Sequence, residues 1–174
     1  MSLHPQLQPD EGALRLTVLS PTEMAVLAEL LAPLAGRGDV LALRGALGAG
    51  KTVFARAFIE ARARAAGATP PDEVPSPTYT LVQTYELPDA PVWHFDLFRL
   101  DQPDDALELG IEEAFAMAIS LIEWPERLGS LLPPSRLDLD IAVGGADEAR
   151  HVRLHGGDGW PGRLARLARS LSAI

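Results

Sequence analysis

The chain has no cysteine, no asparagine and a single lysine, and aromatic residues make up only 6% of its 174 positions. Without cysteine there is neither a disulfide framework nor a thiolate metal site, which suits a reducing compartment. Without asparagine, and with no lysine beyond Lys51, the Asn-Lys-x-Asp signature that reads guanine cannot be written, so a GTPase is disfavoured. No run approaches the ~20 consecutive apolar residues of a membrane span, and Met1 to Gly12 lacks the basic-then-apolar order of a secretory signal. A cytoplasmic protein without membrane contact is therefore expected. Positive charge is also short: the formal net charge is −9. Binding to a nucleic-acid backbone needs a basic face to displace counterions, so DNA is not an expected ligand, and any RNA connection is expected to run through a partner.

The one lysine stands where lysine has a specific use. Gly45-Ala46-Leu47-Gly48-Ala49-Gly50-Lys51-Thr52 is a full match to the phosphate-binding pattern GxxxxGK[ST]. Val40 to Leu43 before it is a continuous apolar run, as in a strand buried on both faces. From Gly50 to about Ala66 the chain reads as a helix, with Val53, Phe54, Ala57, Phe58 and Ala61 forming an apolar stripe and Arg56, Glu60, Arg62 and Arg64 facing water. Strand, loop and helix in this order put a helix N-terminus beneath a glycine-rich turn. Its unpaired N–H groups hold phosphate oxygens, the Lys51 ammonium reaches the outer phosphates, and the Thr52 hydroxyl is available to Mg²⁺.

The remaining pattern is mixed. Leu14 to Val18 alternates as a strand, and Ser20-Pro21-Thr22-Glu23 is a capping-box start for a helix to about Leu34. Strands are expected over 80–87 and 92–96, two short helical pieces over 104–115 broken at Gly110, a strand over 119–123, a short helix over 125–132, strands over 137–143 and 152–154, and a last helix over 161–173. The arginines of that helix read as a solvated face. The expected fold class is α/β: one P-loop NTPase domain over 13–174, with a mixed, mostly parallel sheet flanked by helices, an antiparallel edge, and a flexible tail over 1–12.

Hydrolysis needs more than a phosphate cradle. Two apolar strands end in carboxylates: Asp96, which fits a Walker B acid acting on Mg²⁺, and Glu123. Ligands gather at strand C-termini in open α/β sheets, although an acid there also serves as a solvated cap. Thr78, between Pro77 and Tyr79, reads either as a γ-phosphate sensor or as an ordinary loop threonine. His94 shares a face with Asp96 and reads as a hydrogen-bonded structural residue. Trp124 is expected at the same rim.

Read together, Leu47 to Thr52, Ser76-Pro77-Thr78-Tyr79-Thr80-Leu81-Val82, His94-Phe95-Asp96-Leu97-Phe98-Arg99-Leu100, Leu109-Gly110-Ile111-Glu112-Glu113 and Ile122-Glu123-Trp124-Pro125 resemble the bacterial TsaE (YjeE) family. The resemblance spans about Ser20 to Val143. It implies a small ATPase that works with TsaB and TsaD in forming N6-threonylcarbamoyladenosine on tRNA, its ATP hydrolysis supporting repeated turnover while the transfer occurs on TsaD. It also implies a catalytic set of Lys51, Asp96 and Glu123 and a Mg²⁺ set of Thr52, Asp96 and Glu123. The implied nucleotide-contacting set is Gly45, Ala46, Leu47, Gly48, Ala49, Gly50, Lys51, Thr52 and Val53 with Thr78 and Trp124. Three positions depart from the family pattern: Ala46 replaces a usual acid, Val53 a second hydroxyl and Phe98 a common tyrosine. A small-molecule P-loop kinase and a non-catalytic, nucleotide-gated binding module are the alternatives. The kinase is disfavoured because a strand and helix precede the loop and no arginine-bearing lid is evident.

Overall fold

The computed structural model describes residues 3, 5–8, 12–145 and 148–174. Eight strands form one sheet in the order β1-β2-β8-β7-β3-β6-β5-β4. They are β1 (Gln6–Gln8), β2 (Ala13–Val18), β3 (Val40–Arg44), β4 (Val82–Tyr85), β5 (Val92–Asp96), β6 (Ile119–Glu123), β7 (Leu137–Val143) and β8 (Arg150–Gly156). The helices are α1 (Pro21–Leu31), α2 (Lys51–Ala65), α3 (Asp105–Glu108), α4 (Ile111–Met117) and α5 (Trp160–Leu171), and a 3₁₀ segment runs over Pro125–Leu131.

Three of the seven pairings, β3 with β6, β3 with β7 and β5 with β6, are parallel; the other four are antiparallel. The expectation of a mostly parallel sheet with one antiparallel edge is thus corrected to a parallel centre with antiparallel strands on both sides. The expected tail is corrected in part: Gln6–Gln8 pairs with Ala13–Arg15 and Leu3 is buried, while residues 1, 2, 4 and 9–11 lie outside the described residues.

Residues of alternate parity leave a strand on opposite faces, and here the two faces are packed differently. On one face Leu14, Leu16, Leu41, Leu43, Leu121, Leu137, Leu139, Val152 and Leu154 pack against Met24, Leu27, Phe54, Phe58, Leu164 and Leu167, so α1, α2 and α5 cover it along most of its width. On the other, α3, α4 and the 3₁₀ segment bury Val40, Phe95 and Ile122 only over the β3-β6-β5 half. Over β2, β8 and β7 this second face carries Arg15, Thr17, His151, Arg153, His155 and Asp140.

The expected cap of α1 forms in part: Ser20 Oγ accepts from the Glu23 N–H at 3.2 Å, while Glu23 Oε2 reaches one residue past the N-cap to accept from the Leu19 N–H at 2.7 Å. Two expectations fail, one through a local turn and the other through a tertiary contact. The strand expected from residue 80 begins at Val82, because Leu81 has φ +66° and its N–H closes a turn onto Pro77 O at 2.7 Å. Arg62, expected in water, is buried against Asp89. On α5, Arg163 is not simply solvated either, since it donates to Asp39 and lies over the Trp160 ring.

A candidate nucleotide site at the end of the central strands

Strand β3 occupies the middle of the sheet, and its C-terminal end delivers the chain into the Gly45–Gly50 turn. That turn depends on glycine at two points. A Cβ on Gly45 would lie 2.6 Å from the Ile141 carbonyl oxygen, and Gly50 caps α2 with φ +109°, a left-handed conformation that costs a side-chain-bearing residue strain. The first N–H groups of α2 then face the loop with the positive end of the helix dipole.

Lys51, 4% exposed, folds back so that Nζ donates to Gly45 O at 2.7 Å and Ala46 O at 2.9 Å. Its ammonium also sits 4.2 Å from the centroid of the Trp124 ring. Burial lowers the Lys51 pKa from its ordinary value, and the carboxylates of Glu123, Asp96 and Glu126 oppose that shift. The lysine is therefore a cation held out of water by backbone carbonyls and an aromatic face, facing an acidic wall. A polyanion entering the loop would meet it directly.

The acidic wall comes from β5 and β6, whose parallel register sets Asp96 opposite Glu123. Both side chains are buried. Thr52 Oγ1 lies 3.0 and 3.1 Å from the two Glu123 oxygens, and His94 Nε2 lies 2.8 Å from Glu123 Oε1. Asp96 accepts from Thr78 Oγ1 at 3.1 Å and from the Phe98 N–H at 3.1 Å, and Ser76 Oγ lies 2.7 Å from Thr78 Oγ1. Trp124 adopts φ +60°, which turns its indole out of the strand direction, over Lys51 and against Phe98 at 4.9 Å between centroids.

Among the expected residues, Leu47, Gly48, Gly50, Lys51, Thr52, Val53, Thr78, Asp96, Glu123 and Trp124 line one cleft of about 240 Å³. Gly45 and Ala46 contribute through carbonyls to Lys51, and Ala49 through a carbonyl that accepts from Arg150 Nε at 3.0 Å. The absence of an acid at Ala46 leaves that backbone contact in place. A second cavity of about 150 Å³ shares Gly48, Gly50 and Val53 with the first and adds Ser20, Pro21, Met24, Glu148 and Arg150. No local pattern marks these added residues in the sequence, because tertiary folding brings them from α1 and the β7–β8 connection.

Among the described residues no group of three or more His, Cys, Asp or Glu forms a self-contained metal site. Thr52, Glu123 and Asp96 form a hard oxygen set of the kind that shares Mg²⁺ with substrate phosphates and water. The donor chemistry therefore fits Mg²⁺, and the glycine turn with its lysine fits a nucleotide polyphosphate.

Fold and site together define a mixed α/β, single-sheet protein with a phosphate-loop sequence at the end of its central strand. The family described as threonylcarbamoyl adenosine biosynthesis protein TsaE matches residues 18–152, and the chain belongs to that family. The tRNA threonylcarbamoyladenosine biosynthesis protein TsaE of Bacillus subtilis (strain 168) is 36% identical over 136 residues, 78% of this chain and 81% of that protein. Its counterpart from Rickettsia felis is 39% identical over 121 residues, 70% of this chain and 68% of that one. The crystal structure of Bacillus subtilis YdiB superposes with a TM-score of 0.67 at 30% identity, covering 92% of this chain and 95% of that one. Among the described residues no helix is long and apolar enough to cross a membrane.

Proposed function

We propose that the chain binds Mg-ATP in the Gly45–Thr52 loop and hydrolyses it, slowly alone and faster with TsaB and TsaD, in support of N6-threonylcarbamoyladenosine formation on tRNA in the cytoplasm. The observation that carries this reading is the convergence of Lys51, Thr52, Asp96 and Glu123 on one cleft at the C-terminal ends of β3, β5 and β6. The loop N–H groups and the α2 N-terminus cradle the phosphates, and Lys51 supplies the point charge. Thr52 and Asp96 would hold Mg²⁺, directly or through water, and the ion would supply charge neutralisation at the phosphates. Glu123 orients the attacking water, and Thr78, tied to Asp96, couples the Ser76–Tyr79 segment to the state of the outer phosphate. The purine and ribose extend into the neighbouring cavity, whose Pro21, Met24 and Val53 offer apolar contact beside the polar Ser20, Glu148 and Arg150.

Membership of the TsaE family supports the place of this chemistry in tRNA modification. A net charge of −9 favours access to tRNA through TsaB and TsaD rather than by direct contact. Leu47 and Tyr79, both more than four-fifths exposed beside the cleft, are the apolar groups available to such partners.

The test measures ADP release and multiple-turnover tRNA modification by the wild type and Glu123→Gln, with and without TsaB and TsaD. The wild type is expected to be stimulated, and Glu123→Gln to bind ATP normally while losing ~100-fold or more in rate, because an amide keeps the shape but not the charge. If ATP binds but no ADP appears even with both partners, the chain is a nucleotide-gated module rather than an ATPase.

A further inference from the structure

His94 has no part in the scheme above, yet it is fully buried and reaches the residue on which hydrolysis is proposed to turn. A buried histidine with a purely structural role usually satisfies both ring nitrogens. Here only Nε2 has a partner, Glu123 Oε1 at 2.8 Å, while Nδ1 has no hydrogen-bond partner. That arrangement assigns the proton to Nε2, so the ring donates to the carboxylate and leaves Nδ1 a bare lone pair, a smaller cost than a stranded N–H.

The geometry also separates the two groups that hold Glu123. Thr52 Oγ1 contacts both carboxylate oxygens, but it is a single hydroxyl on the phosphate loop and is the one wanted by Mg²⁺. His94 comes from β5, away from the loop, where its neighbours Gln83 and Leu121 are fixed by the sheet register. When the Thr52 hydroxyl turns to another ligand, His94 is the side-chain donor to Glu123 that remains among the described residues.

We propose that His94 is the positioning residue for Glu123: its Nε2–H, anchored in the sheet, fixes the direction of the carboxylate so that nucleotide binding can release Thr52 without releasing Glu123. This rests on the assignment of Glu123 as the residue that orients water. In this scheme His94 acts only through Glu123.

The experiment uses the full chain with Mg-ATP, TsaB and TsaD. His94→Leu removes the donor and His94→Gln restores an N–H near the Nε2 position. His94→Leu is expected to lower kcat by ~10–100-fold, the range for partners one step removed from a reacting group, with calorimetric ATP affinity held within about threefold. His94→Gln is expected to recover most of that loss. Imidazole ¹⁵N spectra give a readout independent of turnover and of either His94 variant. The His94 ring should show a protonated Nε2 whose signal shifts in Glu123→Gln. A wild-type rate in His94→Leu, parallel loss of ATP affinity and rate in both variants, or a ring signal indifferent to Glu123→Gln overturns the proposal. If the wild type itself does not hydrolyse ATP with its partners, the ATPase reading fails separately, and the spectra alone decide whether His94 positions Glu123.

Discussion

Two histidine–carboxylate pairs of nearly equal length lie on opposite faces of the same sheet. His94 Nε2 is 2.8 Å from Glu123 Oε1, and His155 Nε2 is 2.9 Å from Asp140 Oδ2. The first pair is buried beside α2, whose Thr52 reaches Glu123, near the C-terminal ends of the parallel β5 and β6, with side-chain exposures of 0% and 3%. The second sits on the uncovered polar face of β7 and β8, at 31% and 39%. Residue type and distance are almost the same, so the environment makes the difference. In the buried cluster each charge is poorly screened and each lost partner leaves an unsatisfied group, which forces the side chains into one arrangement. On the open face water replaces a lost partner at little cost. Between these two pairs, the covered one is therefore held in a single arrangement and the exposed one is not.

The largest expected effect comes from breaking the covered site. Lys51→Ala should weaken ATP binding by ~100-fold or more, since it deletes charge-assisted contacts each worth ~1.5–3 kcal/mol. Calorimetry on a variant shown by thermal melting to be folded checks this, and affinity within twofold of wild type would remove the lysine from the site.

A smaller effect tests how the two halves are joined. Gly45→Ala sets a Cβ 2.6 Å from the Ile141 carbonyl oxygen on β7, so either the loop or β7 must shift. We expect a loss of ~1–3 kcal/mol in denaturant unfolding, with weaker ATP binding because the displaced segment is the cradle. Full stability would mean that the close approach of loop to β7 is not required.

The smallest effect should come from the exposed pair. Asp140→Asn is expected to change stability by no more than ~0.5 kcal/mol and to leave ATP hydrolysis with TsaB and TsaD unchanged. An activity loss matching that of His94→Leu would show that the two faces are functionally coupled and would undo the contrast drawn here.

Much of the fold was legible because its signals are local. The Gly45–Thr52 turn sits between an apolar run and an amphipathic segment, and β5, β6 and β7 have the expected bounds, the first two because mostly apolar runs end at Asp96 and Glu123 and the third because Leu137, Leu139 and Ile141 alternate with Asp138 and Asp140. The sheet's direction was less legible. Apolar patterning shows that a strand is buried without showing which way its neighbour runs, and β8 turned back antiparallel onto β7 and β2. Arg62 was misread because helical spacing alone cannot anticipate Asp89 arriving over it. The cleft's lining was largely readable from strand ends and the loop. The neighbouring cavity was not, because Met24 and Arg150 are far apart in sequence and meet beside Val53 only when α1 and β8 take their places.

By itself the sequence determined the phosphate-loop chemistry, the two strand-end carboxylates and the family resemblance, since each is written in residue identity and short spacing. The tertiary structure decided which of these groups touch. It placed Trp124 over Lys51, shared Glu123 between Thr52 and His94, and tied Asp96 to Thr78. Those contacts depend on the register of β5 and β6 beside β3, and register is set by packing of the whole sheet against its helices rather than by any one segment.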